Sequence, residues 1–363
     1  MRNTGQSQIR EFHSTSWQKY QHFIFWFRRA GSTDVKQISL IVLVCLLLAL
    51  SSCDNQVANR KPVKIGLNEW TGYDPFIIAD QTGLFHKNEL NVEIIRYSSA
   101  NEEILSLRSG EIQGAALTLD EAVKLVSSGF PVKVILVLDY SKGGDMILGQ
   151  EPITEMTQLA GKTIGFERSI VGEFLLHRAL ELNGMNSSAI EKVPVSASDW
   201  STAFATKKVD ALVCYNPVAS KLIVKEKANV LFNSTNIPFQ IIDVLVFPDS
   251  FYHNNKDKLI KIVQTWFEAL EFQEKNKRLA MELIMGVKNI DSIDYQISLE
   301  GLLAPGLAMN KTIFDSESEH NIYKYSQPVI NFMLAQGLLT QRINTSDLFP
   351  NDILLAIDND TTN

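Results

Sequence analysis

An α/β protein built from two similar units is what the sequence predicts, and two observations carry that expectation. From residue 61 onward, short β-rich runs alternate with amphipathic segments, the pattern of strands interleaved with helices. A stretch of sixteen residues also recurs without a gap: LRSGEIQGAALTLDEA at 107–122 aligns with FATKKVDALVCYNPVA at 204–219. Each copy reads as a helix end, a basic or Gly turn, a strand and a new helix. Thr118 and Tyr215 are equivalent in this register, each at the carboxyl end of its strand. The chain has 363 residues, 45% hydrophobic and 21% charged, with 19 Gly and 11 Pro, enough for two globular domains.

The elements follow in order. Residues 38–50, ISLIVLVCLLLAL, follow Arg28, Arg29 and Lys36 and are too short to span a bilayer comfortably, so they read as the hydrophobic region of a signal peptide. Leu50-Ser51-Ser52-Cys53 matches the pattern at which bacterial lipoproteins are cleaved and acylated. Residues 1–52 are therefore expected to be the leader, Cys53 the lipidated residue and 53–60 a polar tether, with Asp54 resembling the residue that retains such proteins in the plasma membrane. The region before Lys36, with FIFWF at 23–27 and acids at Glu11 and Asp34, is a poor leader start. Translation is expected to begin at Val35 through a GUG codon, and precursor peptides from 1–34 would overturn that.

Strands are expected at 63–67, 91–97, 113–118, 132–138, 162–166, 211–215 and 241–247. Between them Pro75 opens a helix that Gly83 ends, Asn101 caps one that Gly110 ends, and Asp120 caps one that Gly129 closes. From 250 to 356 the chain reads as helices, with a long amphipathic one over 256–277, and is assigned to packing.

Six basic and two acidic residues leave with 1–52, so the 34 Lys and Arg and 41 Asp and Glu become 28 against 39, a net charge of −11. A nucleic-acid partner is not expected. Cys45 leaves with the leader and lipid takes Cys53, so Cys214 remains alone, excluding an internal disulfide and cysteine-based metal sites. The histidines of this part, His86, His177, His253 and His320, are scattered and show no metal-ligand or triad spacing. No metal and no cofactor is expected.

The ordered set VKIGL, WTGYDP, ADQTGLFHKNELNVEI, LRSGEIQGAAL, GKTIGF, KKVDALVCYNP and IIDVLVF, with the lipoprotein motif, resembles the nitrate/taurine/sulfonate type of ABC-transporter substrate-binding lipoprotein over most of residues 61–250. The resemblance implies a two-lobed periplasmic-binding-protein fold with two crossovers, near 140–146 and 241–246. Lobe one would hold 61–142 plus 246–363, and lobe two 143–245. It also implies capture of a small molecule, as a monomer anchored by lipid on the extracytoplasmic face of the plasma membrane, for an ABC permease and its ATPase.

Open α/β sheets bind ligands where strand ends and helix amino termini converge, and the expected ligand-binding residues lie there. Trp70 and Tyr73 would wall the site after the first strand, with Gly72 permitting the turn between them; packing under the helix is the alternative for each. Thr118 is expected to face the ligand while Asp120 caps. Asp139 and Tyr140 would reach the cleft from the first crossover, where Gly143 and Gly144 give flexibility. Ser169 opens the helix after GKTIGF, beside Arg168. Tyr215 and Asn216 match the family's position before Pro217. Asp243 within the apolar run IIDVLVF either contacts ligand or pairs with a neighbour such as a Lys. Glu69, Asp74, Asp120, Asp139, Asp145, Glu167, Glu173 and Asp243 would outnumber Arg168 and Lys142, so an acidic, aromatic-walled pocket for a cationic or neutral nitrogenous ligand is expected. Open alternatives are an anion of the sulfonate, taurine or nitrate type, a sensor subunit, and an enzyme of the pyrimidine-synthesising or menaquinone-pathway kind on the same fold.

Overall fold

The computed structural model describes residues 61–358. The leader, Cys53 and the tether lie outside the described residues. The architecture below is that of the unit 62–363.

Among the described residues eleven strands form two sheets. The first has the order β11-β4-β10-β3-β1-β2 and the second β7-β6-β8-β5-β9, where β1 is Val63–Leu67, β2 Val92–Arg96, β3 Gly114–Thr118, β4 Val132–Ser141, β5 Asp145–Gly149, β6 Thr163–Phe166, β7 Glu191–Pro194, β8 Ala211–Tyr215, β9 Asn229–Asn233, β10 Ile242–Pro248 and β11 Leu302–Leu303. All seven expected strands are present within a few residues of their bounds. The recurring stretch proves structural: β3 and β8 occupy equivalent positions, each parallel to one neighbour and antiparallel to the other. The turns before them match too. Gly110 has φ 80° and Lys207, at the same register, φ 56°.

The chain leaves the first sheet after Ser141 and returns at Ile242, so the crossings occupy 142–144 and 234–241. The expected boundary at 245/246 falls inside β10. The crossings are tied together, with the hydroxyls of Ser141 and Ser234 2.8 Å apart and Gly143 N–H donating to Ser234 Oγ at 2.6 Å.

The helices that matter for the site are α1 Asp74–Gln81, α2 Ala100–Ser109, α3 Leu119–Ser127, α4 Ile170–Leu182, α5 Val218–Glu226, α6 Lys256–Lys275, α7 Lys277–Lys288, α8 Ser292–Glu300 and α9 Gln327–Ala335. Pro75 sits in the first turn of α1, as expected. Two expected caps are corrected. Ser99, two residues before Asn101, caps α2 by accepting from Glu102 N–H at 3.3 Å. The residue before α3 is Thr118, whose N–H donates to the Glu121 carboxylate at 3.0 Å, so Asp120 lies inside the first turn. The side chain that returns to the strand end is the one three residues on, because only that spacing brings it back over the turn.

Buried apolar side chains from the first sheet, α1, α6 and the C-terminal helices make up one core, in which Phe76 and Trp266 pack with centroids 4.7 Å apart. The long helix expected over 256–277 is α6, ending at Lys275, and α7 follows it directly after Asn276. The C-terminal helices also reach the second lobe. Phe332 of α9 packs on Phe174 of α4 at 5.4 Å, and Asp294 of α8 lies 3.8 Å from Lys221 of α5. Among the described residues no helix is long and apolar enough to cross a membrane.

Candidate ligand cleft

After β1 the chain passes through Asn68 and Glu69 into a short 3-10 turn, Thr71–Tyr73. Asn68 Oδ1 accepts from Trp70 N–H at 2.9 Å and so sets the loop's direction. Trp70 is buried, and its indole N–H donates to both carboxylate oxygens of Asp139, at 3.2 and 3.1 Å. Lys288, the last residue of α7, donates to the carbonyls of Glu69 and Trp70 at 3.1 and 3.2 Å and pairs with buried Asp74 at 2.5 Å. The loop bearing the ring is thus held from both sides. Gly72 serves this arrangement through its lack of a side chain: a Cβ there would lie 1.8 Å from Asp139 Oδ2 and 2.5 Å from the indole nitrogen. Close approach, not a special turn, demands glycine. Gly144 acts alike, since a Cβ there would stand 2.5 Å from the edge of the Trp70 ring.

Trp70 meets Tyr215 of the second sheet edge-on, with centroids 5.9 Å apart, and Trp200 backs Tyr215 at 4.9 Å. The strand-end rings of the two sheets therefore border one hollow. A cavity of about 50 Å³ lies there, lined from the first sheet's side by Trp70, Tyr73, Thr118, Glu121 and Asp243 and from the second's by Asp145, Glu167, Ser169 and Tyr215. By volume this is room for a few water-sized centres.

Of the nine expected ligand-binding residues, Trp70, Tyr73, Thr118, Ser169, Tyr215 and Asp243 line the cavity, and Asp139, Tyr140 and Asn216 do not. Successive residues of a strand point to opposite faces, so Asp139 and Tyr140 could not both reach it. Asp139 stands behind Trp70, and Tyr140 packs edge-on against Phe239 and Tyr325 at 5.1 and 6.1 Å. Asn216 is buried and accepts from Ser220 N–H at 3.2 Å, opening α5. Asp243 pairs with the Tyr73 hydroxyl, which donates to Oδ1 at 2.5 Å, rather than with a lysine. Glu69 is drawn away to Arg96 at 2.7 Å.

Sequence reasoning missed Asn68, Ala100, Glu121 and Val171 as lining residues. For Glu121 a signal existed in Thr118-Leu-Asp-Glu121, the capping-box spacing that folds the carboxylate back over the strand end.

Four carboxyl groups, Glu121, Asp145, Glu167 and Asp243, face this cavity, and among the described residues no Lys, Arg or His does. Burial pushes the Asp145 carboxyl up to about 6. Burial raises Asp243 far above the carboxylate range, with Asp139 adding to it, and raises Glu121, with Asp120 adding. Glu167 is raised by burial as well. The shared cause is a surplus of acids removed from water with no cation to balance them. The Thr118 hydroxyl sits at the cavity wall in the capping box that opens α3. Such a surface accepts hydrogen bonds and positive charge, and offers flat faces to a ring. Among the described residues no cluster of His, Cys, Asp and Glu is arranged to hold a metal ion, and Cys214 is a buried free thiol.

Comparisons with known proteins converge. A family model described as NMT1/THI5 like matches residues 70–276. A protein of Brucella abortus (strain 2308) named as a binding protein is 24% identical over 250 residues, 66% of this chain and 76% of its own length. A Haemophilus influenzae protein named for thiamine biosynthesis is 27% identical over 138 residues, 38% of this chain and 44% of that one. The crystal structure of the periplasmic aliphatic sulphonate binding protein SsuA from Escherichia coli superposes with a TM-score of 0.67 at 16% identity, covering 81% of this chain and 93% of that one. The two-sheet architecture is the periplasmic-binding-protein fold.

Proposed function

The chain belongs to the NMT1/THI5-like family, and from that membership we propose that it is the extracytoplasmic solute-binding component of an ABC importer. It captures a small cationic or neutral nitrogen-bearing molecule between its lobes and hands it to a permease powered by an ATPase. It acts as a monomer, without cofactor, held by lipid on Cys53 at the outer face of the plasma membrane, and it binds without reacting.

One observation carries the ligand class: the cavity has four carboxyl groups and two opposed aromatic rings and no basic side chain. An unreacting site of this kind suffices, since micromolar capture needs about 8 kcal/mol. The bilobal fold supports closure around the ligand as the signal to the permease.

A thermal-shift screen of the purified protein tests this, using amines, quaternary ammonium compounds, pyrimidines, nitrate and nitrogen-free alkanesulfonates. A nitrogenous ligand at a hundredfold excess over its Kd should stabilise by about 2.7 kcal/mol. A selective response to nitrate or to a nitrogen-free sulfonate would overturn the ligand class.

A further inference from the structure

A second hollow opens beside the first. It has about 260 Å³, several times the inner cavity, and shares Ala100, Glu121, Glu167 and Ser169 with it. It runs along the groove between α2 and α3, because Ala100, Ile104 and Arg108 recur every four residues along one helix, and Glu121, Lys124 and the C-cap Ser128 follow at three and four residues along the other, spacings that share a helical face. The loop before α4, with Arg168 and Ser169, covers it from the second lobe. Arg108 donates to Ser128 Oγ at 2.9 Å and so bridges the two helices at the groove's far end.

Charge is segregated between the hollows. The inner one holds carboxyl groups and no base; the outer adds Arg108, Lys124 and Arg168, and its only acids are the two shared at the boundary. None of the three bases forms an ion pair among the described residues. Lys124 spends one proton on the Leu338 carbonyl at 2.6 Å, and Arg108 one on Ser128, with its guanidinium over Phe130 at 5.6 Å. A lysine has three donors and an arginine five, so most remain unused. Arg168 is exposed and unpartnered among the described residues. Bases with spare donors, gathered along a groove that leads out of an acid-lined cavity, form a complementary end for a dipolar molecule.

We infer, on the reading of the inner cavity proposed above, that the two hollows are one bipartite site, whose ligand carries an anionic group beyond its nitrogenous head. The head sits among Glu121, Asp145, Glu167 and Asp243, and the anion, a carboxylate, phosphate or sulphonate, lies along the groove toward Lys124, Arg168 and Arg108. Two lobes contribute to each end. The anion therefore bridges α2 and α3 to the loop before α4, and adds to closure.

Matched probes test this by isothermal titration calorimetry on the intact protein. Ethanolamine is compared with β-alanine, phosphoethanolamine and taurine, which share an aminoethyl head and differ in the tail, and benzylamine is compared with 4-(aminomethyl)benzoate. The anion-bearing member should bind about tenfold or more tightly than its neutral counterpart in at least one series, as charge-assisted contacts imply. The ranking of the three tails identifies the anion. In Lys124→Ala and Arg168→Ala the ratio between members should shrink toward one, and in Arg168→Glu it should invert. Equal binding of neutral and anionic members by the wild type would overturn the outer subsite and leave the inner reading standing. So would a tail preference that survives all three substitutions. Failure of every nitrogenous compound to bind would overturn both.

Discussion

The junction after β3 and the junction after β8 stand at the same register in two copies of one unit, yet they present different chemistry. The first ends in Thr118, followed by Glu121 folded back over the turn. The second ends in Tyr215, followed by Asn216 turned inward to open α5. The backbones agree even to the left-handed residue four positions before each strand, Gly110 and Lys207. Repetition therefore fixes where a ligand can lie, and the strand-end side chains fix which one. One copy supplies an acid and a hydroxyl, the other a ring.

The two rings that meet across the cleft differ in the same way, and this comparison yields the largest expected effect. Trp70 is buried, hydrogen-bonded to Asp139 and packed against Gly144, whereas Tyr215 is only partly buried. Trp70→Ala should cost about 3–5 kcal/mol of stability, the usual range for removing a buried tryptophan, and leave Asp139 without its donor. Tyr215→Ala should cost less than half as much and still abolish measurable ligand binding. Denaturant titration with and without ligand separates the two. Equal stability losses would mean that both rings are scaffold, and unchanged affinity in both would remove the cleft as the site.

Legibility followed the same division between frame and side chain. The repeat, the strand ends and the acid-and-ring character of the cleft could be read because each depends on local pattern. β5 was missed because DMILG is buried throughout and follows a Gly pair that reads as a loop. It shows no alternation from which a strand could be recognised. Asp139 and Tyr140 both read as cleft residues because the sequence shows strand direction but not which way each side chain faces. Glycine 72 reads as a turn residue, and only three-dimensional proximity reveals that Asp139 and the indole fill the space its Cβ would occupy. Asp243 was correctly marked as costly to bury, but its partner, Tyr73, lies 170 residues away in sequence.

The acids offer the next largest effect. In the folded protein Asp145 titrates at about 6, and Glu121 and Asp243 are raised also, while in the unfolded chain all return to the ordinary carboxylate range near 4. The folded state then holds more protons than the unfolded state between these values. Its stability is fully present below pH ~4 as regards these groups and is lost as pH rises through about 6 and beyond. The rise of Asp145 from the ordinary carboxylate range to about 6 is worth on the order of 3 kcal/mol. Asp210 and Asp352, held below the ordinary range, act in the opposite sense at lower pH, outside this window. Ligand-free protein should therefore be more stable at pH 5 than at pH 8 in denaturant titrations. A cationic ligand favours the ionised carboxylates, releases protons on binding and should bind more tightly at pH 8. Calorimetry in two buffers of different ionisation enthalpy counts those protons. Uptake rather than release would mean that the carboxyl groups meet the ligand as hydrogen-bond donors.

The smallest expected effect sharpens the comparison at Thr118. Thr118 lines the cavity, its N–H holds Glu121, and its hydroxyl sits in the capping box that opens α3. Replacing Thr118 by Val keeps the β-branched shape that suits a strand end and removes only the hydroxyl. Folding stability should fall by about 0.5–2 kcal/mol, the usual cost of losing an N-cap hydroxyl. Affinity should fall by about 1 kcal/mol, near fivefold, if the hydroxyl bonds the ligand as a typical neutral contact does. Titration of ligand into wild type and variant, with denaturation curves for both, reads the two effects separately. A stability loss with affinity intact would place the hydroxyl in the service of α3. A loss of affinity as well would make the strand end after β3 a ligand contact in the same sense as the ring after β8.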